Sequence, residues 1–75
     1  MYIGIIGLGD MGKLYALTFA AAGYQVCGTD LPHQLLQLAT ELKDKDIEVL
    51  ADGHEVSRKS DFIIYSVEAE KIAHV

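Results

Sequence analysis

A chain of 75 residues with a net charge of −5 can form one small domain, and its composition excludes several classes of protein. Apolar residues make up 51% of the chain, which favours a packed core over disorder. Acidic residues outnumber basic ones, so no basic surface is expected for nucleic acid. The only cysteine, Cys27, cannot form an internal disulfide. With no basic leader and no apolar run long enough for a bilayer, we expect a cytoplasmic protein that does not bind membranes.

The chain begins with an apolar strand that is followed by three glycines. The run Tyr2–Ile6 is typical of a buried parallel strand. Gly7, Gly9 and Gly12 follow in the spacing G-x-G-x-x-G. In this spacing the first glycine permits a tight turn, the second lets an anionic group approach the backbone, and the third lets the next helix pack closely on the strand. The segment therefore predicts a strand–turn–helix unit with an anion at the turn.

A helix is predicted over residues 10–22, and Gly23 follows it in the position of a left-handed C-cap. The free N–H groups of its first turn, near Asp10 and Met11, would point at the anion, and the helix dipole favours negative charge there. We expect the face towards the sheet to consist of mostly apolar residues that recur at helical spacing, which are Met11, Leu14, Tyr15, Thr18, Phe19 and Ala22.

Three further strands are predicted in alternation with helices. The strands cover residues 24–29, 47–50 and 62–67, and the helices cover residues 31–43, residues 54–60 and the segment that begins at 68. The continuous apolar run of the last strand indicates burial on both faces. Right-handed crossovers give an α/β fold, a partial Rossmann fold whose parallel sheet of about four strands has the order 3-2-1-4 with flanking helices. A full dinucleotide-binding domain has about six strands, so we expect residues 1–75 to be its N-terminal portion, without a complete second domain.

An acidic residue follows the second strand at the distance that a dinucleotide site requires. Asp30 lies roughly 20 residues after the glycines, where a carboxylate accepts hydrogen bonds from the hydroxyls of the adenosine ribose. An alternative, compatible with the first, is that Asp30 is a helix N-cap ahead of Pro32. The combination of strand, glycines, helix and acid predicts a cofactor site made of Gly7, Leu8, Gly9, Asp10, Met11, Gly12 and Asp30.

The end of the fourth strand supplies two further candidates, Ser66 and Val67. They lie at the carboxyl edge, where ligands bind in open sheets, and could contact the second half of the cofactor. Ser66 could equally act only as a cap of the next helix. Elsewhere, His33, His54 and His74 share no metal-ligand spacing, and no nucleophile–base pair is visible. We therefore predict no metal site and no catalytic residue.

Two segments resemble the N-terminus of the prephenate dehydrogenases, and most closely that of the fungal enzymes. They are GIIGLGDMGKLYALTFAAAGY and GHEVSRKSDFIIYSVEAEKI, and the second is more distinctive because many dehydrogenases share GLGxMG. The resemblance implies an oxidoreductase of tyrosine biosynthesis that oxidatively decarboxylates prephenate to 4-hydroxyphenylpyruvate and passes hydride to NAD or NADP. It implies cofactor-binding roles for Gly7, Gly9, Gly12 and Asp30. No residue matches the catalytic histidine or the substrate-binding arginines of that family, so the chain alone is expected to be inactive.

Several alternatives remain open from the sequence. The absence of Arg or Lys between Asp30 and Lys43 favours NAD, whereas the fungal family favours NADP, and a protonated His33 could assist a 2′-phosphate. The chain could instead belong to a dehydrogenase of the β-hydroxyacid or 6-phosphogluconate type, or be a nucleotide-sensing module without chemistry. We also expect a homo-oligomer, formed through the edge of the fourth strand or the apolar faces of the helices.

Overall fold

The structure, a computed structural model, describes residues 1–66. It contains one parallel sheet with the strand order β3-β2-β1-β4, which confirms the predicted topology. Ile3 of the first strand pairs with Val26 on one side and with Phe62 on the other. The strands are β1 (Tyr2–Ile6), β2 (Gln25–Thr29), β3 (Ile47–Val49) and β4 (Phe62–Tyr65).

The strands are connected by helices whose bounds lie within a few residues of the predicted ones. They are α1 (Asp10–Ala21), α2 (Leu35–Leu42) and α3 (Gly53–Lys59), and short 3-10 turns flank α2 at Pro32–Gln34 and Lys43–Lys45. Gly23 follows α1 with φ 96°, the left-handed conformation expected of a C-cap glycine. None of these helices has the length and apolar character needed to cross a membrane. The helix predicted from residue 68 lies outside the described residues.

The helices cover both faces of the sheet. On one face, α1 and α2 pack on a core that contains Ile5, Val26, Leu38 and Leu42. On the other face, a Cβ built on Gly4 would lie 2.7 Å from Cγ1 of Val56 and 2.1 Å from Oγ of Ser60, so α3 packs directly against the backbone of β1. Burial of each large aliphatic side chain contributes about 1.5–3 kcal/mol relative to exposure.

The predicted inward face of α1 is wrong. Met11 and Leu14 are 54% and 55% exposed, while Gly12 and Ala16 are buried, and Phe19 alone of the predicted stripe packs against the core. The reason is the glycine motif, because Gly12 must face the strand for the helix to pack closely. Residues four and seven positions further along the helix then also turn inward, and this leaves the larger side chains of the first turns on the outer face.

The predicted burial of the fourth strand on both faces is also wrong. Phe62 and Tyr65 are 56% and 71% exposed, and Ile63 and Ile64 are half-buried. Within residues 1–66, β4 has one neighbour in the sheet, β1, so its other edge is unpaired. An apolar run of this kind indicates a strand whose faces can be buried, but it does not show that another element packs on both of them.

Candidate functional site

The glycine loop, residues 7–12, joins β1 to α1 at the carboxyl edge of the sheet. Gly7 has φ 100°, a conformation that side-chain-bearing residues rarely adopt. A Cβ on Gly7 would also lie 2.1 Å from the carbonyl oxygen of Ser66, while the Gly7 N–H donates to the carbonyl of Thr29 at 2.9 Å. The turn therefore requires glycine for both its conformation and its packing.

Gly12 fixes the distance between α1 and this turn. A Cβ at Gly12 would lie 1.8 Å from the carbonyl oxygen of Gly7, far inside van der Waals contact. Gly12 is buried in the first turn of α1. The third glycine of the motif therefore permits the close approach of helix and strand that the spacing predicts.

Gly9 is the N-cap of α1 and leaves the helix without a side-chain cap. Its φ of −72° is open to any residue, so the backbone conformation does not explain why glycine stands here. The first hydrogen bond of the helix runs from the Lys13 N–H to the Gly9 carbonyl at 2.8 Å. The N–H groups of Asp10, Met11 and Gly12 precede this bond and have no intrahelical acceptor. Together with the helix dipole, they form a binding position for an anion such as pyrophosphate.

Asp30 connects the end of β2 to the glycine loop. Its Oδ2 accepts a hydrogen bond from the Leu8 N–H at 2.8 Å, and its Oδ1 accepts one from the Leu31 N–H at 2.7 Å. It does not cap the turn at Pro32, where Leu31 is the N-cap and no side-chain bond forms. Each carboxylate oxygen keeps a lone pair for a ribose hydroxyl, so the structure allows the ribose role and adds a second one.

Leu8 contributes to this loop mainly as a core residue. It is 1% exposed and belongs to the hydrophobic cluster under α1 and α2. Its N–H is bonded to Asp30, unlike the unbonded N–H groups that follow in the first turn of the helix. A direct cofactor contact by Leu8 stays a prediction, as do those by Asp10 and Met11.

A cleft of about 380 Å³ opens beside the loop at the carboxyl edge of the sheet. It lies between the ends of β1 and β2 on one side and the β3–α3 connection on the other. Two acidic side chains, Asp30 and Asp52, and the residue that follows β4, Ser66, border it. The remaining wall is largely apolar and includes Ile6, Leu31, Pro32 and Ala51. A small apolar cleft with a few polar groups has the character of a site for an organic ligand.

Thr29 is a site residue that the sequence interpretation missed. It borders the cleft and is 4% exposed, and its Oγ1 is buried without a hydrogen-bond partner among the described residues. An unsatisfied buried hydroxyl costs about 1–3 kcal/mol of stability. A ligand with a polar group at this position would offset that cost. The available signal was a hydroxyl residue at the end of an otherwise apolar strand, directly before Asp30.

The far wall of the cleft is held by the cap of α3. Oδ1 of Asp52 accepts the Glu55 N–H at 2.9 Å, and Oε2 of Glu55 accepts the Ala51 N–H at 3.3 Å. This arrangement is close to a capping box, in which the side chains of the cap and of the third helical residue satisfy backbone donors near the helix start.

Ser66 is packed against Gly7, where an added Cβ would lie 2.1 Å from the Ser66 carbonyl oxygen. Its N–H donates to the Ile6 carbonyl at 2.8 Å, which continues the β1–β4 pairing by one residue. The structure therefore places Ser66 beside the glycine loop and the cleft. Val67 lies outside the described residues.

Two lysines of the described chain are engaged in ion pairs that do not border the cleft. Nζ of Lys13 lies 2.9 Å from Oε2 of Glu41, and this contact raises the pKa of Lys13 above its ordinary value. Lys59 pairs with Glu48, which raises the pKa of Lys59, and its Nζ lies 5.2 Å from the centre of the Tyr2 ring. The first pair links α1 to α2, and the second links α3 to β3.

The glycine loop, the unsatisfied helix N-terminus and the acid after β2 are the components of a dinucleotide site. Residues 2–75 match the family described as the NAD binding domain of 6-phosphogluconate dehydrogenase. The chain belongs to this family of NAD-binding domains. The predicted cofactor class, NAD or NADP, is thereby confirmed.

The sequence of this NAD-binding domain is similar to those of two yeast proteins. It is 48% identical over 73 residues to the prephenate dehydrogenase (NADP+) of Saccharomyces cerevisiae. It is 47% identical over 73 residues to the probable prephenate dehydrogenase (NADP+) of Schizosaccharomyces pombe. Each match covers 97% of this chain, but the chain spans only 16% and 17% of those relatives. The predicted resemblance to the fungal enzymes is confirmed for this segment.

A solved structure supports the fold of the domain. The imine reductase of Myxococcus stipitatus, a V8 variant in complex with NAD+, superimposes with a TM-score of 0.79 over 97% of this chain and 24% of that one. The two sequences are 18% identical, so the likeness concerns the fold alone. The predicted partial Rossmann fold is confirmed.

Proposed function

We propose that this chain is the N-terminal, cofactor-binding part of a prephenate dehydrogenase. The enzyme would oxidatively decarboxylate prephenate to 4-hydroxyphenylpyruvate and reduce NAD or NADP. The observation that carries the proposal is the 48% identity over 73 residues to the yeast enzyme. The resemblance of the closing segment GHEVSRKSDFIIYSVEAEKI to the fungal prephenate dehydrogenases supports it beyond the widely shared glycine motif.

Different residues of the chain would bind different parts of the cofactor. The glycine loop and the N-terminus of α1 would bind the pyrophosphate through backbone N–H groups. Asp30 would accept the ribose hydroxyls, and Ser66 and Val67 would face the nicotinamide half. The bound dinucleotide supplies the hydride acceptor. The unpartnered Thr29 hydroxyl and the close packing at Gly7 and Gly12 are the features that support this fit.

Substrate binding and catalysis would come from the rest of the enzyme. None of the three histidines of the sequence stands in a motif that resembles the catalytic position. We therefore propose that this part binds the dinucleotide but does not turn over prephenate alone.

The test is an assay of the full-length protein that contains this chain. Prephenate should yield reduced nicotinamide together with 4-hydroxyphenylpyruvate, and Gly9→Val should abolish the reaction by blocking the approach of the pyrophosphate. The matched control is 6-phosphogluconate at the same concentration, which should give no reduction.

Two other candidates predict different outcomes in this assay. A dehydrogenase of the β-hydroxyacid or 6-phosphogluconate type, which the family match supports, would reduce the cofactor with those substrates and not with prephenate. A nucleotide-sensing module would bind the dinucleotide without turnover of any of these substrates. Either result would contradict the prephenate assignment.

We also propose that the chain self-associates through the edge of β4 that is unpaired within residues 1–66. The exposed side chains of Phe62 and Tyr65 and the unpaired backbone of this edge would favour pairing with a second copy. Sedimentation should show dimers that Phe62→Lys disrupts. Leu36→Lys, which adds the same charge at a side chain that is 83% exposed on α2, should leave them intact. A species that stays monomeric at all concentrations would contradict the proposal.

A further inference from the structure

We infer that the cofactor site of this chain prefers NAD to NADP. The cleft at the end of β2, where the adenosine ribose would lie, is bordered by fixed carboxylates and by no basic side chain of the described residues. The inference rests on the proposed function only in placing the ribose in this cleft. It separates this chain from the two yeast relatives, whose names give NADP+.

Asp30 cannot easily turn its charge away from the ribose. One oxygen holds the Leu8 N–H at 2.8 Å and the other holds the Leu31 N–H at 2.7 Å. A rotation that made room for a phosphate would leave the partly buried Leu8 N–H without its acceptor. The carboxylate is therefore anchored at the position where a 2′-phosphate would have to sit.

The opposite wall of the cleft adds a second negative charge. Asp52 borders the same cleft and is held by the Glu55 N–H at 2.9 Å, because it caps α3. A phosphate between these walls would carry nearly two negative charges at neutral pH, so both carboxylates would repel it.

The two lysines that form ion pairs in the described residues do not border the cleft. Lys13 is paired with Glu41, and Lys59 is paired with Glu48, so neither is placed to neutralise a phosphate in the cleft. Among residues 1–66, no Lys, Arg or His lies in the lining of the cleft. His33 is the nearest basic residue to Asp30 in the sequence and is exposed on the 3-10 turn, so it is the residue that a test must examine.

The experiment is calorimetric titration of the full-length protein that contains this chain with NAD and with NADP under identical conditions. We expect NADP to bind at least about tenfold more weakly, as repulsion by an anchored carboxylate predicts. Asp30→Asn keeps an oxygen that can accept the Leu8 N–H but removes the charge, so it should bring the two affinities within about threefold of each other. Asp52→Asn, which retains the cap of α3, should also reduce the difference between the affinities for NAD and NADP, but by a smaller factor.

The matched control is Asp46→Asn, which removes the same charge at the other end of the sheet. Asp46 has φ 59°, a conformation that asparagine also tolerates, so the fold should be unaffected and the affinity ratio unchanged. Circular dichroism of each variant would verify folding. If Asp30→Asn does not fold, the preference for NAD is still tested by the ratio of NAD to NADP affinity in the unmodified protein and by the change of that ratio in Asp52→Asn.

The contradicting outcomes are distinct. NADP binding as tight as NAD binding, or a ratio that Asp30→Asn does not change, would overturn the preference alone. Tight NADP binding that His33→Ala removes would overturn it in favour of His33 as a phosphate ligand. Failure to bind either dinucleotide would overturn the inference together with the cofactor site on which it rests.

Discussion

Two connections at the same edge of the sheet begin a helix in opposite ways. The β1–α1 connection ends in Gly9, an N-cap without a side chain, so the first N–H groups of α1 stay unsatisfied. The β3–α3 connection ends in Asp52, whose carboxylate accepts the Glu55 N–H. One helix start is therefore open to an external anion, and the other is closed by its own side chain.

The difference between the two connections indicates that residues which hold the glycine loop in place are not those that would bind the ligand at the start of α1. At the open connection, the hydrogen bonds that hold the loop come from residues distant in the sequence, from Asp30, which directly follows β2, and from the Thr29 carbonyl. At the closed connection, the Leu50 N–H also donates to β2, at the Gly28 carbonyl, but the helix start itself is capped from within the turn by Asp52 and Glu55. The open connection can therefore keep its shape while its helix N-terminus remains available to a ligand.

The largest effect is expected from Gly12→Ala, which destroys the geometry of the open connection. The added Cβ would meet the Gly7 carbonyl oxygen at 1.8 Å, so α1 must move away from the strand. We expect a loss of about 3 kcal/mol in the free energy of unfolding, together with loss of dinucleotide binding. Denaturant unfolding and calorimetric titration measure the two effects.

Gly23→Ala is the matched control for this substitution. Gly23 has φ 96°, and a Cβ there would meet nothing within 4 Å, so the cost is conformational strain of about 1–2 kcal/mol without overlap. Dinucleotide affinity should not change. An equal loss of binding in both variants would show that general destabilisation, rather than the glycine loop, decides affinity.

The second effect is expected from Gly9→Asp, which converts the open connection into a closed one. A carboxylate at this N-cap would accept an N–H of the first turn and repel pyrophosphate. We expect dinucleotide affinity to fall by at least about a hundredfold, while the free energy of unfolding stays within about 0.5 kcal/mol of the unmodified chain. Titration and denaturant unfolding would be compared.

Gly9→Ala separates the charge from the added atoms. Because φ at Gly9 is ordinary, alanine should fold normally and should reduce affinity less than aspartate does. Dinucleotide binding that survives Gly9→Asp would mean that the N-terminus of α1 is not the pyrophosphate position.

The sequence predicted the parts of this comparison that depend on local spacing. The apolar run before Gly7, the three-glycine motif and the acid after the second strand each follow from neighbouring residues, and the structure confirms the strand, the turn and the helix. The pair Asp52-Gly53 is typical of a turn, but the sequence did not predict that Asp52 caps α3. Local patterns therefore gave the elements and their order.

The contacts between elements were not predictable in the same way. The bond from the Leu8 N–H to Asp30 depends on the register that aligns Ile6 with Thr29, which no spacing within one element reveals. The inward face of α1 was mispredicted because hydrophobicity pointed to Met11 and Leu14, whereas close packing selects the smallest side chains. The sequence shows Thr29 as a hydroxyl residue at the end of an apolar strand, but only the burial of that strand shows that the hydroxyl has no partner among the described residues.

The third effect concerns Asp30, which we expect both to stabilise the glycine loop and to bind the ligand. Asp30→Ala removes the acceptor of the Leu8 N–H, which should cost about 1–3 kcal/mol in the free energy of unfolding. It also removes the partner of the ribose hydroxyls. We therefore expect affinity for NAD to fall by about tenfold and affinity for NADP to fall less, because repulsion of its phosphate is relieved.

Hydrogen exchange of the Leu8 amide distinguishes the two roles of Asp30. Exchange should be faster in Asp30→Ala and close to that of the unmodified chain in Asp30→Asn, which keeps an acceptor. Equal losses of affinity for NAD and NADP in Asp30→Ala would mean that the ribose contact contributes nothing and that Asp30 acts only on the loop.

The smallest effect is expected at the closed connection. Asp52→Ala removes the cap of α3, so the Glu55 N–H loses its acceptor, and we expect a loss of about 1 kcal/mol in the free energy of unfolding. Affinity for NAD should change by less than about twofold, because α3 presents no N–H groups to the cofactor in the proposed arrangement. Ser57→Ala, an exposed substitution within the same helix, should leave both quantities unchanged. A large loss of NAD affinity in Asp52→Ala alone would mean that the two connections share the cofactor, because the closed helix start would then be part of the site.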